Sequence, residues 1–467
     1  MPEATSAPDR VRTELLRLIE ERRPGDRLPS TRELVERLRV SPVTLGKALS
    51  RLAAEGRVVT QTGSGTFVTG DAGRRPAPRL DTDWQSVVLG DSPLDADVTE
   101  RLSGPPAAGR FVLDGGYLHD SLQPTAALTA ALGRASRRPD AWGRAPAAGL
   151  PALRELFAAD SGADIHADDV LVTAGGQNAL SLVFRAVGRP GDAVLVESPT
   201  YPGALAAIRA AGLRPVPVPT DVAGLRADLL EESFARSGAR LVYCQPTHQN
   251  PTGATMSAER RAGLVAAAGA HGAFVVEDDF ARHLGHDDTR RSPLIDDDPN
   301  GCVIQVTSLT KPVAPSLRIG AIVARGPVMR RLQAARRAVD FFISLPLQEA
   351  AVDLLVSPGW QRHRRRLAKA LDERRTTVLR ALATHRPEWV VPSPPRGGLH
   401  VWVRLPERAD PARVAGAAAT VGVSVAGGDR FFPAEPAGPF LRLALGAAPD
   451  LGALEEGVRL LASATPG

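Results

Sequence analysis

Lysine is nearly missing from this sequence. Of its 57 Lys and Arg residues only Lys47, Lys311 and Lys369 are lysine. Wherever a positive charge suffices the chain uses arginine, so a lysine kept against that bias calls for chemistry a guanidinium lacks. Cysteine is scarce too. The two, Cys244 and Cys302, lie far apart inside apolar runs, which excludes a disulfide framework and suits buried thiols in a reducing compartment. No apolar run approaches the ~18 residues of a membrane-crossing helix. The start, "MPEATSAPDR", lacks the charged-then-apolar layout of a secretory signal. A cytoplasmic protein with no membrane partner is expected. Charge of one sign is not in large excess either: +5 over 467 residues is mild and by itself says little about nucleic acid.

What is present exceeds one ordinary domain. With 43% apolar and 23% charged residues, the chain can bury a large core in two or three domains. In "RVRTELLRLIEE" the spacing of Val11, Leu15, Leu18 and Ile19 gives a helix with one apolar face. "STRELVERL" begins with Ser30 three residues before Glu33, the reciprocal cap of a second helix. After a turn at Arg39-Val40, Ser41 caps and Pro42 opens a third helix, predicted over about 42–55 and closed by Gly56. "RVVTQ" and "GTFVT" then flank Gly63-Ser64-Gly65 as a β-hairpin. Three helices and a two-stranded wing suit a winged helix-turn-helix, whose third helix enters the DNA major groove. The same pattern also suits a small helical cap with a hairpin.

"LPSTREL", "SPVTLGKALSRLAAEGRV" and "GSGTFV" make residues 10–69 resemble the GntR family of bacterial regulators. The resemblance implies a DNA surface in which Arg32 reaches base edges or phosphates. Ser41, Thr44 and Lys47 touch backbone or bases, and the Gly63-Ser64-Gly65 tip enters the minor groove. Pro42 and Gly46 stand where the family often has arginine, which thins guanine readout by the third helix. Residues 1–75 hold fourteen Lys/Arg against ten Asp/Glu, a modest excess that favours a dimer on paired half-sites over tight binding by a monomer.

Residues 1–70 are therefore read as the DNA-binding domain and 71–110, rich in Pro, Gly and charge, as a linker. Within it "DWQSVVLGD" has the pattern of one helical turn with Trp84 packed on a neighbour. Residues 111–467 form the remaining unit, a large part over about 125–345 and a smaller one over about 346–467.

From residue 150 onward, short continuous apolar strands alternate with helices: "DVLVTAGG", "DAVLVESP", "ARLVYCQP", "AFVVEDD", "CVIQVTS" and "RIGAIVAR". That is α/β organisation with a mostly parallel sheet covered on both faces. Ligands of such sheets lie at the carboxyl ends of strands. There stand Gly175-Gly176-Gln177, Tyr201, Asn250-Pro251-Thr252-Gly253, Asp278 and Ser308 with Lys311. Asn250 to Asp278 is 28 residues and Asp278 to Lys311 is 33, about one strand–helix–strand unit each, so these groups can converge. Glycines at a helix N-terminus suit a phosphate, with Ser308 and Arg318 completing the cup. Asp278 can hold a pyridine nitrogen protonated, Asn250 can donate to a phenolate oxygen, and Tyr201 can stack on a ring. An amine with a lowered pKa bonds an aldehyde where a guanidinium cannot. The retained lysine therefore reads as the covalent anchor of pyridoxal 5'-phosphate.

Over residues 111–467, "AGGQNAL", "SPTYPGA", "QNPTG", "EDDF", "SLTKPVAPSLRIG" and "LRLALG" resemble, in order, the fold-type I aminotransferases. The resemblance implies an internal aldimine at Lys311, with Asp278 on the pyridine nitrogen, Asn250 facing the 3'-oxygen and Tyr201 stacked on the ring. Gly175, Gly176, Gln177, Ser308 and Arg318 hold the phosphate, and Arg442 binds a substrate or effector α-carboxylate. Phe280 stands where relatives have a tyrosine near the 3'-oxygen. Each residue also has a plain reading: Lys311 on the surface, Asp278 and Asp279 as strand-end caps, Arg442 in an ion pair, Tyr201 in packing. His283, His286 and "HDD" read as polar loop, and no metal site is expected. "RHRRR" (362–366) reads as the solvated face of a long helix.

The whole chain resembles the MocR family, a GntR module joined to an aminotransferase-like domain. That implies a domain-swapped homodimer that binds double-stranded operator DNA and senses pyridoxal 5'-phosphate or an amine or amino-acid effector. The rival expectation is a working aminotransferase whose DNA module tethers or autoregulates it. A third is a scaffold that has lost its cofactor.

Overall fold

Why the first helix forms is visible in its burial: within α1 (Ala7–Glu20), Val11, Leu15, Leu18 and Ile19 are all buried. This computed structural model describes residues 7–61, 64–69, 82–89, 111–287 and 291–465. They fall into two compact units, Met1–Ser92 and Pro93–Gly467. In the first, α2 (Thr31–Leu38) starts at the expected reciprocal cap. Glu33 N donates to Ser30 Oγ at 3.3 Å and Ser30 N donates to Glu33 Oε2 at 2.7 Å. Arg39 closes it in the left-handed conformation, φ 51°. Ser41 caps α3 (Pro42–Ala54) by accepting from Thr44 N at 3.1 Å. β1 (Val58–Gln61) and β2 (Gly65–Val68) pair antiparallel, Val58 opposite Val68 and Gln61 opposite Gly65. Leu15, Leu34, Leu45, Leu52, Val58 and Val68 form one core.

The helix Asp83–Leu89 is present, but Trp84 is 60% exposed rather than packed on a neighbour. Seven residues carry too little surface to dock a helix on their own. The rest of the predicted linker lies outside the described residues.

The second unit opens with β3 (Phe111–Val112). Its large sheet comprises β4 (Val170–Thr173), β5 (Ala193–Ser198), β6 (Arg214–Asp221), β7 (Gly224–Leu225), β8 (Leu241–Cys244), β9 (Phe274–Asp278), β10 (Val303–Ser308) and β11 (Gly320–Ala324). The order is β4-β11-β10-β9-β8-β5-β6-β7. Neighbours run parallel from β6 through β5, β8 and β9 to β10, while β11 is antiparallel to both β10 and β4. The two faces alternate along each strand, as a period of two requires. Val172, Leu195, Val242, Val275 and Val303 enter one core; Leu171, Val194, Leu241, Val276 and Ile304 enter the other. Covered on both sides, the sheet leaves its strand ends as the accessible edge. Register brings those ends together: Asp278 pairs with Val306, Ser308 with Gly320, and Gly320 with Thr173.

A smaller layer is built from β12 (His400–Arg404), β13 (Val423–Ser424), β14 (Ala426–Gly427) and β15 (Phe440–Ala444). The sheet order is β12-β15-β14, and β13 pairs parallel with β3. The 28-residue helix Pro358–His385 packs on Leu451–Ala464. Leu113 and Leu118 join this core, so the chain enters the smaller layer before building the large sheet. The helix Leu345–Leu355 instead packs on Thr125–Ala135 and Pro151–Ser161, beside the large sheet. Among the described residues no helix is long and apolar enough to cross a membrane.

Candidate functional site

Three residues beyond the end of β10, Lys311 Nζ donates to the Gly116 carbonyl at 2.8 Å and lies 3.7 Å from the centroid of the Tyr117 ring. Burial, with Arg442 and Arg318 nearby, pulls its pKa down to about 7 against the opposing charge of Asp278. Such an amine is substantially neutral, hence nucleophilic, near pH 7.

Asp278 ends β9 with 4% of its surface exposed. Its Oδ2 accepts from Tyr243 Oη at 2.7 Å and from Gln245 Nε2 at 2.7 Å. Burial raises its pKa to about 6, partly offset by those two donors. Both donors meet one oxygen, which leaves Oδ1 to a ligand. Gln245 also orients the neighbouring loop, since Asn250 N donates to its Oε1 at 2.9 Å. Behind it, Glu197 Oε2 accepts from Gln245 N at 3.0 Å and Gln249 Nε2 at 3.3 Å. Burial pushes the Glu197 carboxyl up to about 8, which favours its neutral form near pH 7.

On the adjoining strand ends, Gly175 caps the helix Gly176–Val187 at φ 87°. A Cβ there would fall 3.1 Å from Arg318 Cζ and from Thr310 Oγ1, so only glycine leaves the cradle open. Arg318 is held with φ 50° and donates through Nη2 to Ala174 O at 2.6 Å. Ser308 Oγ lies 2.9 Å from Thr310 Oγ1. A helix N-terminus, a guanidinium and two hydroxyls thus stand together, a donor set that suits an anion. The Gln177 side chain is turned elsewhere: its Nε2 donates to Gly203 O at 2.8 Å and its Oε1 accepts from Tyr201 Oη at 3.1 Å. What it offers an anion is its first-turn backbone N–H.

Arg442 on β15 is buried and donates to Asn250 Oδ1 at 3.1 Å and to Asp114 O at 2.7 Å. Its guanidinium carbon lies 4.9 Å from the Phe431 ring centroid, and its Nε has no hydrogen-bond partner. Burial and then Arg430 lower its pKa to about 9. His400, on the paired strand β12, is also buried, and burial, Arg442 and Lys311 hold it neutral. Tyr201 is pushed above its ordinary value, chiefly by burial and then by Tyr117. Phe280 is half-buried against the smaller core. Asp279 accepts from Gln305 at 2.9 Å and pairs with Arg282 at 3.1 Å, a structural role.

His283 and His286 stand in a loop, as expected of them, but in one that is packed. His283 lies 3.3 Å from Asp160 and edge-on to Trp360, while His286 is buried with Nε2 3.0 Å from Gly398 O. The smaller layer folds back over this segment and covers it. Among the described residues no group of three or more His, Cys, Asp or Glu is placed to hold a metal.

On the first unit, Arg32 is exposed and lies 3.6 Å from Glu36. Ser41 Oγ and Thr44 Oγ1 are 2.8 Å apart, so both hydroxyls serve the cap. Lys47 is exposed one turn further along α3. At the wing, Ser64 is exposed and Gly65 (φ 115°) packs against the Arg27 side chain; Gly63 lies outside the described residues.

Tyr117, Tyr243 and Gln245 were not singled out in the sequence, yet they touch Lys311 and Asp278. A signal existed: the chain has three tyrosines, Tyr117, Tyr201 and Tyr243, and all three stand at this site.

Two family models match the chain, aminotransferase class I and II over residues 114–461 and bacterial regulatory proteins of the gntR family over residues 8–68. The HTH-type transcriptional regulator YdcR of Escherichia coli is 30% identical over 432 residues, 90% of this chain and 90% of the relative. Aromatic-amino-acid aminotransferase 1 of Thermococcus litoralis is 32% identical over 299 residues, 63% of this chain and 72% of the relative. The solved α-aminoadipate aminotransferase LysN of Thermus thermophilus, in complex with N-(5'-phosphopyridoxyl)-L-leucine, superposes with a TM-score of 0.73 at 28% identity. That match covers 82% of this chain and 97% of the other.

Proposed function

We infer, since this chain belongs to the aminotransferase class I and II family and carries a gntR-family module before that domain, that it is a DNA-binding regulator of MocR-type architecture. Its aminotransferase-like unit takes pyridoxal 5'-phosphate, the family's cofactor, with Lys311 as the covalent anchor, and senses an amine or amino acid there. The observation that carries this reading is a half-buried amine held at the Gly116 carbonyl and over Tyr117, within the field of Asp278, a carboxylate that keeps one oxygen free.

The residues present fit the cofactor. The cradle at Gly175, filled by any Cβ, suits its phosphate, with Gly176, Ser308 and Arg318 as further donors. Asp278 Oδ1 suits its ring nitrogen, Asn250 its 3'-oxygen and Tyr201 its ring, with Phe280 on the side of the 3'-oxygen. When bound, the cofactor supplies an aldehyde and an electron-withdrawing ring. Asp278, held by Tyr243 and Gln245, keeps a proton on the ring nitrogen. Arg442, whose Nε is unspent, binds the carboxylate of an incoming amino acid. An effector that favours one conformation of the site shifts DNA affinity by its differential binding. The acting species is a domain-swapped homodimer on paired half-sites, with Arg32, Ser41, Thr44, Lys47 and the 63–65 tip at the DNA.

The test is DNA binding to the protein's own upstream region, with and without pyridoxal 5'-phosphate and a panel of amines and amino acids. Borohydride reduction and digestion run beside it. A peptide spanning Lys311 that gains a reduced phosphopyridoxyl group, together with effector-dependent DNA affinity, is the expected result. Sustained transamination with 2-oxoglutarate at about 1 per second or more, without any effector effect on DNA, supports the working aminotransferase instead.

A further inference from the structure

We propose that α3 reads thymine 5-methyl groups through Val43, so that each DNA half-site carries thymine beneath the first turn of that helix. The proposal rests on the DNA-binding reading above and names what the helix selects.

Val43 is 68% exposed, although it is an apolar, β-branched residue in a helix. The core-facing stripe of α3 is already accounted for by Leu45, Ala48 and Leu52, all buried. Val43 falls outside that stripe and gains nothing from packing, while β branching costs it helix propensity. Scattered surface valines are ordinary; this one is distinguished by its address. The first residues of the third helix in a helix-turn-helix are those that meet base edges.

Its neighbours leave it prominent. Gly46, three residues on and therefore beside it on the helix surface, has no atom within 4 Å of where a Cβ would stand. A groove wall can approach the helix there without striking a side chain. The usual polar readers are missing. Residues 41–50 contain no Arg, Asn or Gln, and Lys47 is the one cation among them. Bidentate recognition of guanine by arginine or of adenine by an amide is therefore not available from these two turns. The hydroxyls of Ser41 and Thr44 are engaged with each other at 2.8 Å and with the helix cap. In the major groove the feature an isopropyl group can recognise is the methyl of thymine.

The experiment removes that methyl and nothing else. Full-length protein selects a duplex from a random double-stranded library. The selected duplex is then rebuilt with each thymine in turn replaced by uracil, and affinities are measured by fluorescence anisotropy at fixed salt. At one or two positions per half-site wild type loses about fourfold per methyl, the equivalent of ~0.8 kcal/mol. Val43→Ala binds the thymine duplex correspondingly less well and shows no further loss on uracil, the coupling a double-mutant cycle measures. Lys47→Ala weakens thymine and uracil duplexes alike and flattens the salt dependence. Equal affinity for thymine and uracil at every position overturns the proposal, as does a uracil penalty that persists in Val43→Ala. Failure to select any duplex overturns the DNA-binding reading itself, and this proposal with it.

Discussion

The Lys311 ammonium stands over the face of Tyr117, 3.7 Å from the ring centroid, and donates to the Gly116 carbonyl at 2.8 Å. Both contacts favour the charged amine, so they oppose the burial and the two arginines that lower its pKa. A ring face attracts a cation by about 0.5–1 kcal/mol where solvent still reaches it, or roughly half a pKa unit. Tyr117→Leu should move the midpoint of Lys311 titration down by that amount. Tyr117→Phe, which keeps the ring, should leave it in place. The midpoint is read from the rate of cofactor capture by the apo protein across pH. If Phe and Leu move it equally, the phenol hydroxyl and not the ring is what matters.

The same assay has an absolute expectation. Burial and the two arginines lower Lys311 from 10.5 to about 7, and only the neutral amine attacks the aldehyde. Capture should therefore rise with pH through about 7 and then level off. One unit below the midpoint it should fall to about a tenth of the plateau. A rate still climbing tenfold per unit at pH 9 means the lysine keeps an ordinary pKa.

Glu197 makes the opposite kind of prediction, one about stability. Its pKa is raised by burial from 4.5 to about 8. The folded state therefore holds a proton that the unfolded chain releases above pH 4.5. Stability attributable to this group is complete below about 4.5 and is lost as pH rises, until the folded protein also ionises near 8. Glu197→Gln, isosteric with the neutral acid, escapes that loss. Its melting temperature relative to wild type should climb between pH 5 and 8 and then level off. A constant difference over that range means Glu197 is ionised in the native protein.

Much of this was legible beforehand because the relevant signals are local. Six continuous apolar runs placed six of the eight strands of the large sheet, the reciprocal cap at Ser30 and Glu33 placed α2, and scarcity pointed to Lys311. What escaped is non-local. Gly116 reaches Lys311 from 195 residues away, on a loop without periodicity. Gln245 looked like an ordinary polar residue after a strand, yet its amide bonds both Asp278 and Asn250. A stretch rich in His and Asp reads as polar loop, and nothing local in it tells that His286 is buried; the covering layer arrives more than a hundred residues later, as the 112-residue separation of His286 and Gly398 records.

Arg442 yields the sharpest test of what the site selects. It is buried, its pKa is lowered to about 9, and Asn250 and the Asp114 carbonyl take two of its donors while Nε stays unpaired. A carboxylate arriving there meets a largely desolvated cation, where a charge-assisted contact is worth about 2–5 kcal/mol, or roughly 30-fold or more. Alanine and ethylamine differ only by that carboxylate, so the ratio of their affinities isolates it. Titration of the cofactor-loaded protein, followed by absorbance, should give wild type a strong preference for alanine. Arg442→Gln should lose at least about 30-fold of the preference while keeping the cofactor band, which also reports that the variant is folded. If both proteins prefer alanine to the same degree, Arg442 belongs to the scaffold, and the carboxylate is bound elsewhere.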